Sequence, residues 1–181
     1  SPAQCFHSAI EAARIAPKYR TPVMLLSDGY LANGAEPWKL PDLASLPDIS
    51  VPFADGPNHA EDNGEETFWP YKRDGNLARP WAIPGTPGLM HRVGGLEKAD
   101  GTGNIDYTPE NHEKMVHLRA AKIAQIATDI PLAEVHGDDD ADVLVVGWGS
   151  TWAAIDAAVQ RRRRAGVKVA STHLTHLSPL P

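Results

Sequence analysis

The chain has 181 residues, 42% apolar and 22% charged, with a formal net charge of −6. No apolar run approaches the ~18 residues of a membrane span, and the acidic balance argues against general nucleic-acid affinity, because phosphates need a basic face. The single cysteine, Cys5, excludes an internal disulfide and a complete four-thiolate cluster on this chain. It suits a reducing, cytoplasmic setting.

In chain order, Ser1, Pro2 and Gln4 fit the N-cap, first and third positions of a helix, and Cys5, Phe6, Ala9, Ile10 and Ala13 recur on one face. A helix that starts at the first residue, without an initiator methionine, reads as part of an excised segment. On this face Cys5 is expected to be a buried, inert thiol. Pro17 is expected to end the helix, and residues 22–27, PVMLLS, read as a short buried strand closed by Asp28 and Gly29.

From Gly34 to Thr108 the periodicity fades into proline, glycine, acid and aromatic residues. Trp38, Phe53, Phe68, Trp69, Tyr71 and Trp81 argue against disorder. The stretch is therefore expected to be an irregular linker packed on a neighbouring domain or subunit, with residues 55–66 its most mobile part. Inside it, PGTPGLMHRVGGLEK, residues 84–98, has enough turn formers to fix an irregular loop, charged by His91, Arg92 and Glu97. Two readings stand for that loop: a packed interface, or the lining of an active-site mouth.

Thr108 and Pro109 then open a helix expected over residues 109–130, with Val116, Ala120, Ile123, Ala127 and Ile130 as its apolar stripe. At about 22 residues it would span roughly 33 Å. His112, Glu113 and His117 do not form a zinc-protease pair, since a spacing of five sets the imidazoles about 140° apart around the helix. An acidic turn at residues 137–140 follows, and a domain boundary is placed near residue 136.

Residues 142–181 form one recognisable unit. Val143, Leu144, Val145 and Val146 suit a strand buried on both faces of a parallel sheet. Gly147 and Gly149 allow a tight turn, Ser150 is placed to cap a helix, and Ile155, Ala158, Val159 and the stem of Arg162 share its face. Arg161, Arg162, Arg163 and Arg164 complement the helix C-terminus, Gly166 ends it, and residues 167–174 give a second, parallel strand. GWGST, residues 147–151, also offers backbone donors for an anion at Gly147, Gly149 and Ser150. It lacks the third glycine of a dinucleotide loop and the lysine of a phosphate loop, so a structural turn is the first reading and an anion site the second. His173 and His176, an odd number of residues apart, are expected to point to opposite faces of the strand and share no metal.

SPAQCFHSAIEAARIAPKYRTPVMLLSDGYLANGAEPW, ARPWAIPGTPGLMHRVGGLEKADGTGNI, and PENHEKMVHLRAAKIAQIA followed by VLVVGWGSTWAAI together resemble the α subunits of bacterial 2-oxoacid:ferredoxin oxidoreductases, most of all those acting on 2-oxoglutarate. The resemblance implies an α/β fold in three parts. Residues 1–36 would end a pyrimidine-binding-type thiamine diphosphate domain, residues 37–136 would be a long irregular linker with one long helix, and residues 137–181 would open a transketolase C-terminal-like parallel-sheet domain. It also implies oxidative decarboxylation of a 2-oxoacid to an acyl-coenzyme A with reduction of ferredoxin. Thiamine diphosphate, Mg2+ and an iron–sulfur cluster would be held mostly by other segments or a β subunit, in a heterodimer or heterotetramer. None of the three is expected on this segment alone, and no catalytic residue or metal ligand carries over to it. Met90 departs from the resembled pattern, which often carries an acid there. Two other readings compete: a non-catalytic docking module using the aromatic linker and residues 161–164, and a nucleotide-binding α/β protein using residues 147–151.

Overall fold

A computed structural model describes residues 1–181, and they gather into two compact units. Residues 1–13, 23–47 and 127–181 form the first, and residues 14–22 and 48–126 the second.

In the first unit lies the opening of helix α1, Pro2–Tyr19. The expected capping box is replaced by a distant acid: Glu36 accepts the Ala3 N–H at 2.5 Å and a hydrogen bond from Ser1, which together hold its carboxyl below the ordinary glutamate range. A carboxylate at a helix N-terminus meets free N–H donors and the positive end of the dipole. Phe6 packs on Trp38 with ring centroids 5.1 Å apart. Cys5 is only half-buried, so the expectation of a fully buried thiol does not hold.

The expected strand at residues 22–27 does not form. These residues lie outside regular structure, and Met24, Leu25 and Leu26 are 82%, 50% and 62% exposed. A strand needs a neighbour for its backbone donors and acceptors, and no strand of this chain pairs here. Asp28 then caps the four-residue helix α2, Gly29–Ala32, by accepting the Leu31 N–H at 2.8 Å.

The sheet of the first unit has three strands, β3 (Val135–Gly137), β4 (Val143–Trp148) and β5 (Val169–Leu174), in the order β3-β5-β4. β4 and β5 run parallel, with Val143 opposite Val169 and Trp148 opposite Leu174, joined by a short 3-10 turn and helix α4, Trp152–Arg164. This is the expected strand, helix, strand unit. The antiparallel β3 was not expected, and it begins ahead of residue 137. Its presence makes β5 the central, buried strand; β4 remains an edge, and with Val143, Leu144 and Val146 about half exposed it is not buried on both faces as expected. Helix α4 places Val159 in the core. It ends as expected, with the Val167 and Gly166 amides bonded back to Arg162 and Arg163 carbonyls and Gly166 at φ +83°. Only Arg163 of the basic run finds an acid, Asp138, at 2.8 Å.

The second unit opens with the end of α1, which runs through Pro17 to Tyr19 instead of stopping at the proline. In the last turn the missing N–H costs one bond. Arg20, at φ +50°, closes the end, with the Thr21 N–H bonded to the Ala16 carbonyl. Ile15 and Tyr19, one turn apart, are buried. Residues 48–126 of the expected linker lie in this unit, and an antiparallel pair, β1 (His59–Ala60) and β2 (Glu66–Thr67), occupies the part expected to be mobile. Trp69 stacks on His59 at 3.4 Å, and Gly101 lies against the same indole. Phe68, Ala78 and Leu89 are buried.

Helix α3, Pro109–Ile126, stops four residues short of the expected end, and its buried residues are Met115 and Ile126. Val116 and Ala120 of the expected stripe are exposed. The inward face instead follows Asn111, Met115, Leu118 and Lys122, because polar groups there find partners. Asn111 donates to the Lys98 carbonyl at 3.0 Å, and Lys122 to the Arg20 carbonyl at 3.2 Å.

Candidate functional site

The sequence directs attention to two places, one in each unit. In the first, residues 145–151, Asp28 and the inner face of α4 surround a cavity of about 640 Å³. Gly147 is there for close packing. A Cβ on it would fall 2.2 Å from Ile155 Cδ1 and 3.6 Å from His173 Nδ1. Gly149 takes φ +67°, with open space around its missing side chain. Ser150 does not cap α4. It hydrogen-bonds through hydroxyl and backbone to Asp28, whose carboxyl is held below the usual carboxylate range first by that hydroxyl and then by the Leu31 N–H. A carboxylate of the chain itself therefore engages Ser150, one of the turn's donors. Thr151 donates to the Trp148 carbonyl at 2.7 Å.

His173 stands on β5 behind Gly147. Burial, ahead of every other influence, lowers its pKa from 6.5, and its Nδ1 is buried without a hydrogen-bond partner. His176 turns to Glu11, 3.4 Å away.

In the second unit the three charged residues of the 84–98 loop separate. His91 bonds through Nδ1 to the Leu89 carbonyl at 2.8 Å and rests on Phe68. Arg92 is exposed, as is Met90. Glu97 turns the other way, to His112 at 2.8 Å and Arg119 at 3.1 Å on α3. These two hydrogen bonds, His112 first, lower its pKa. His112 is thus a partner of Glu97, while Glu113 and His117 are exposed on α3.

Behind Glu97 lies what the sequence did not disclose: a cavity of about 380 Å³ whose wall includes Arg20, Arg73, Arg79, Lys98, Arg119 and Lys122. Apart from Arg119 and Lys122 on one helix, these positions are scattered over a hundred residues, and no spacing links them.

Does this chain hold the cofactors that its resemblance implies? No three His, Cys, Asp or Glu side chains converge as metal ligands, and at the glycine turn Ser150 is engaged by Asp28. The residues present do not make a metal or cluster site of the implied kind, and no reaction step is assigned to them.

The fold and these two places define an α/β segment that contributes packing surface and charge. A family model described as pyruvate flavodoxin/ferredoxin oxidoreductase, thiamine diP-bdg, matches residues 1–108. The chain belongs to this family. It is 53% identical, over its whole length, to 26% of the 2-oxoglutarate oxidoreductase subunit KorA of Mycobacterium tuberculosis. It is 35% identical over 98% of its length to 27% of the 2-oxoacid:ferredoxin oxidoreductase 1 α subunit of Aeropyrum pernix. Among solved structures, a 2-oxoglutarate:ferredoxin oxidoreductase from Magnetococcus marinus with 2-oxoglutarate, coenzyme A and succinyl-CoA bound matches with a TM-score of 0.80 and 33% identity. That match covers 93% of this chain and 28% of the other. The chain thus spans about a quarter of the length of each of these relatives. No helix in it is long and apolar enough to cross a membrane.

Proposed function

We propose that this chain is a segment of the α subunit of a thiamine diphosphate-dependent 2-oxoglutarate oxidoreductase that forms an acyl-coenzyme A and passes electrons to ferredoxin. The observation that carries the reading is the 53% identity across the whole chain to a 2-oxoglutarate oxidoreductase subunit. When bound, thiamine diphosphate supplies the electron sink for decarboxylation, and the protein supplies placement and electrostatics. In this reading the cofactor, Mg2+ and the iron–sulfur cluster sit mostly on other segments and on a β subunit, in a heterodimer or heterotetramer working in the cytoplasm. Residues 1–36 belong to the pyrimidine-type domain, residues 37–136 connect, and residues 137–181 open the transketolase C-terminal-like domain. The 84–98 loop, with Met90 and Arg92 exposed, serves as contact surface.

The test is to coexpress the full-length α subunit with its β partner and assay dye reduction that depends on both 2-oxoglutarate and coenzyme A. Turnover that needs both is expected. No turnover with any 2-oxoacid overturns the reading.

A further inference from the structure

The second unit concentrates positive charge around its cavity far beyond what its acids neutralise. Six cations line the wall, with Glu97 the only acid among the lining residues. Asp100 stands just outside, 2.7 Å from Arg73 and 3.0 Å from Lys114, while Glu97 is shared by Arg119 and His112. Arg20, Arg79, Lys98 and Lys122 have no carboxylate within ion-pairing distance. Arg20 donates to the carbonyls of Pro17, at 2.6 Å, and Pro52, at 2.5 Å, and stacks 4.2 Å over Trp81. Arg79 lies 5.2 Å over Tyr71. Lys98, buried, donates to the Gly94 and Leu96 carbonyls.

Such an arrangement is costly by itself. Partial burial lowers the pKa of Lys122, and the neighbouring Arg73, Arg79 and Arg119 lower it further. Arg20 is shifted down by burial and then by Arg79, while Asp74 acts the other way. Like charges brought together in a half-dry cavity repel, and carbonyls satisfy donors without cancelling charge. Aromatic faces hold two of the guanidinium groups, Arg20 and Arg79, in place, which pre-organises their planar donor forks. The volume falls within the range of small-ligand pockets, and exposed Gly95 and Leu96 stand at its wall.

We propose that this cavity is a binding site for a small, multiply charged oxyanion: the phosphate or diphosphate of a phosphorylated molecule, or a dicarboxylate. A single carboxylate would neutralise one charge of four, whereas a dianion held by Arg20, Arg79 and Lys122 relieves most of the repulsion through charge-assisted bonds. The site goes beyond the enzymatic reading and stands independently of it.

The test is titration calorimetry on the full-length protein assembled with its partner subunit, with inorganic pyrophosphate in one arm and 2-oxoglutarate in the other. Saturable binding is expected in at least one arm, weakened about tenfold or more by Arg79→Gln with Lys122→Met, partly restored by Arg79→Lys, and reduced by added salt. The arm that responds identifies the source, phosphate or dicarboxylate. Binding that the double variant leaves unchanged lies at another site and overturns the proposal, as does the absence of saturable heat in both arms. Should the double variant fail to assemble, Lys122→Met alone, which keeps the stem and removes the charge, decides on the same criterion. A complex that binds pyrophosphate through these residues yet turns over no 2-oxoacid sinks only the enzymatic reading. One that turns over but shows no variant-sensitive binding sinks only this one.

Discussion

Gly137 shows how one residue without a side chain permits a whole strand pairing. It takes φ +137°, and a Cβ there would lie 2.6 Å from Ala170 Cα and 2.7 Å from the Val169 carbonyl oxygen. Both obstacles are backbone, so neither can rotate away. Gly137→Ala is therefore expected to cost about 2 kcal/mol or more in local stability, read in the full-length protein as hydrogen exchange roughly thirtyfold faster at β5 amides facing β3. Unchanged protection would show that the strand tolerates the methyl group. Glu97 makes a different residue-scale case. Its folded pKa lies below the ordinary 4.5 because His112 and then Arg119 hydrogen-bond to the carboxylate. The stabilisation is thus fully present above pH 4.5 and disappears as the pH falls through the lower folded value. Glu97→Gln is expected to flatten the acid limb of a stability profile, and an acid limb identical to the parent's would refute the assignment.

At the scale of elements, the β4–α4–β5 unit was legible because its strand pattern, glycine turn, helix and glycine stop agree with one another and need few distant partners. Segment 22–27 failed for the complementary reason. Its composition is as strand-like as that of β4, but pairing is a property of two segments, and the second is not supplied here. Helix α3 illustrates a subtler limit. The apolar stripe at Val116 and Ala120 was real in the sequence, yet the helix turned Met115 and Lys122 inward because Asn111 and Lys122 reach backbone carbonyls of other segments. The β4–α4–β5 unit also carries a pH response. Burial favours the neutral form of His173 and lowers its folded pKa below 6.5. Stability is then complete above pH 6.5 and declines as the pH falls from there towards the folded value, since the unfolded chain takes up the proton first. His173→Leu is expected to remove this slope. Thermal midpoints at about pH 7.5 and about pH 5.5 measure it, and an equal drop in parent and variant would exclude His173 as the cause.

For the whole molecule, the exposed apolar surface is the dominant fact. Met24, Leu25 and Leu26, Val143, Leu144 and Val146 of β4, and Trp148 and Trp152 all lie open to solvent, and large apolar side chains exposed in this number mark surfaces that other protein covers. The 181-residue chain expressed alone is expected to bind an apolar dye strongly and to self-associate, and the same surface within the assembled full-length protein to bind much less. A dye-silent, monomeric chain in the ultracentrifuge would contradict this. Among the candidate site residues, the sequence marked the glycine turn and the 84–98 loop, but it assigned no partner within the chain to either. Asp28 on the turn and α3 behind Glu97 became visible only in three dimensions.

By itself the sequence determined the mixed α/β class, the parallel strand–helix–strand unit, the long helix and, through ordered matched segments, the enzyme family. These rest on local periodicity, turn chemistry and residue identity, all written along the chain. Only the tertiary structure decided that β5 is central, that residues 48–126 gather with residues 14–22 in one unit, that Glu36 caps α1 from a distance, and that six scattered cations converge on one cavity. Each of those depends on which segments meet, and electrostatic and packing energies between residues far apart in sequence leave no spacing by which to find them.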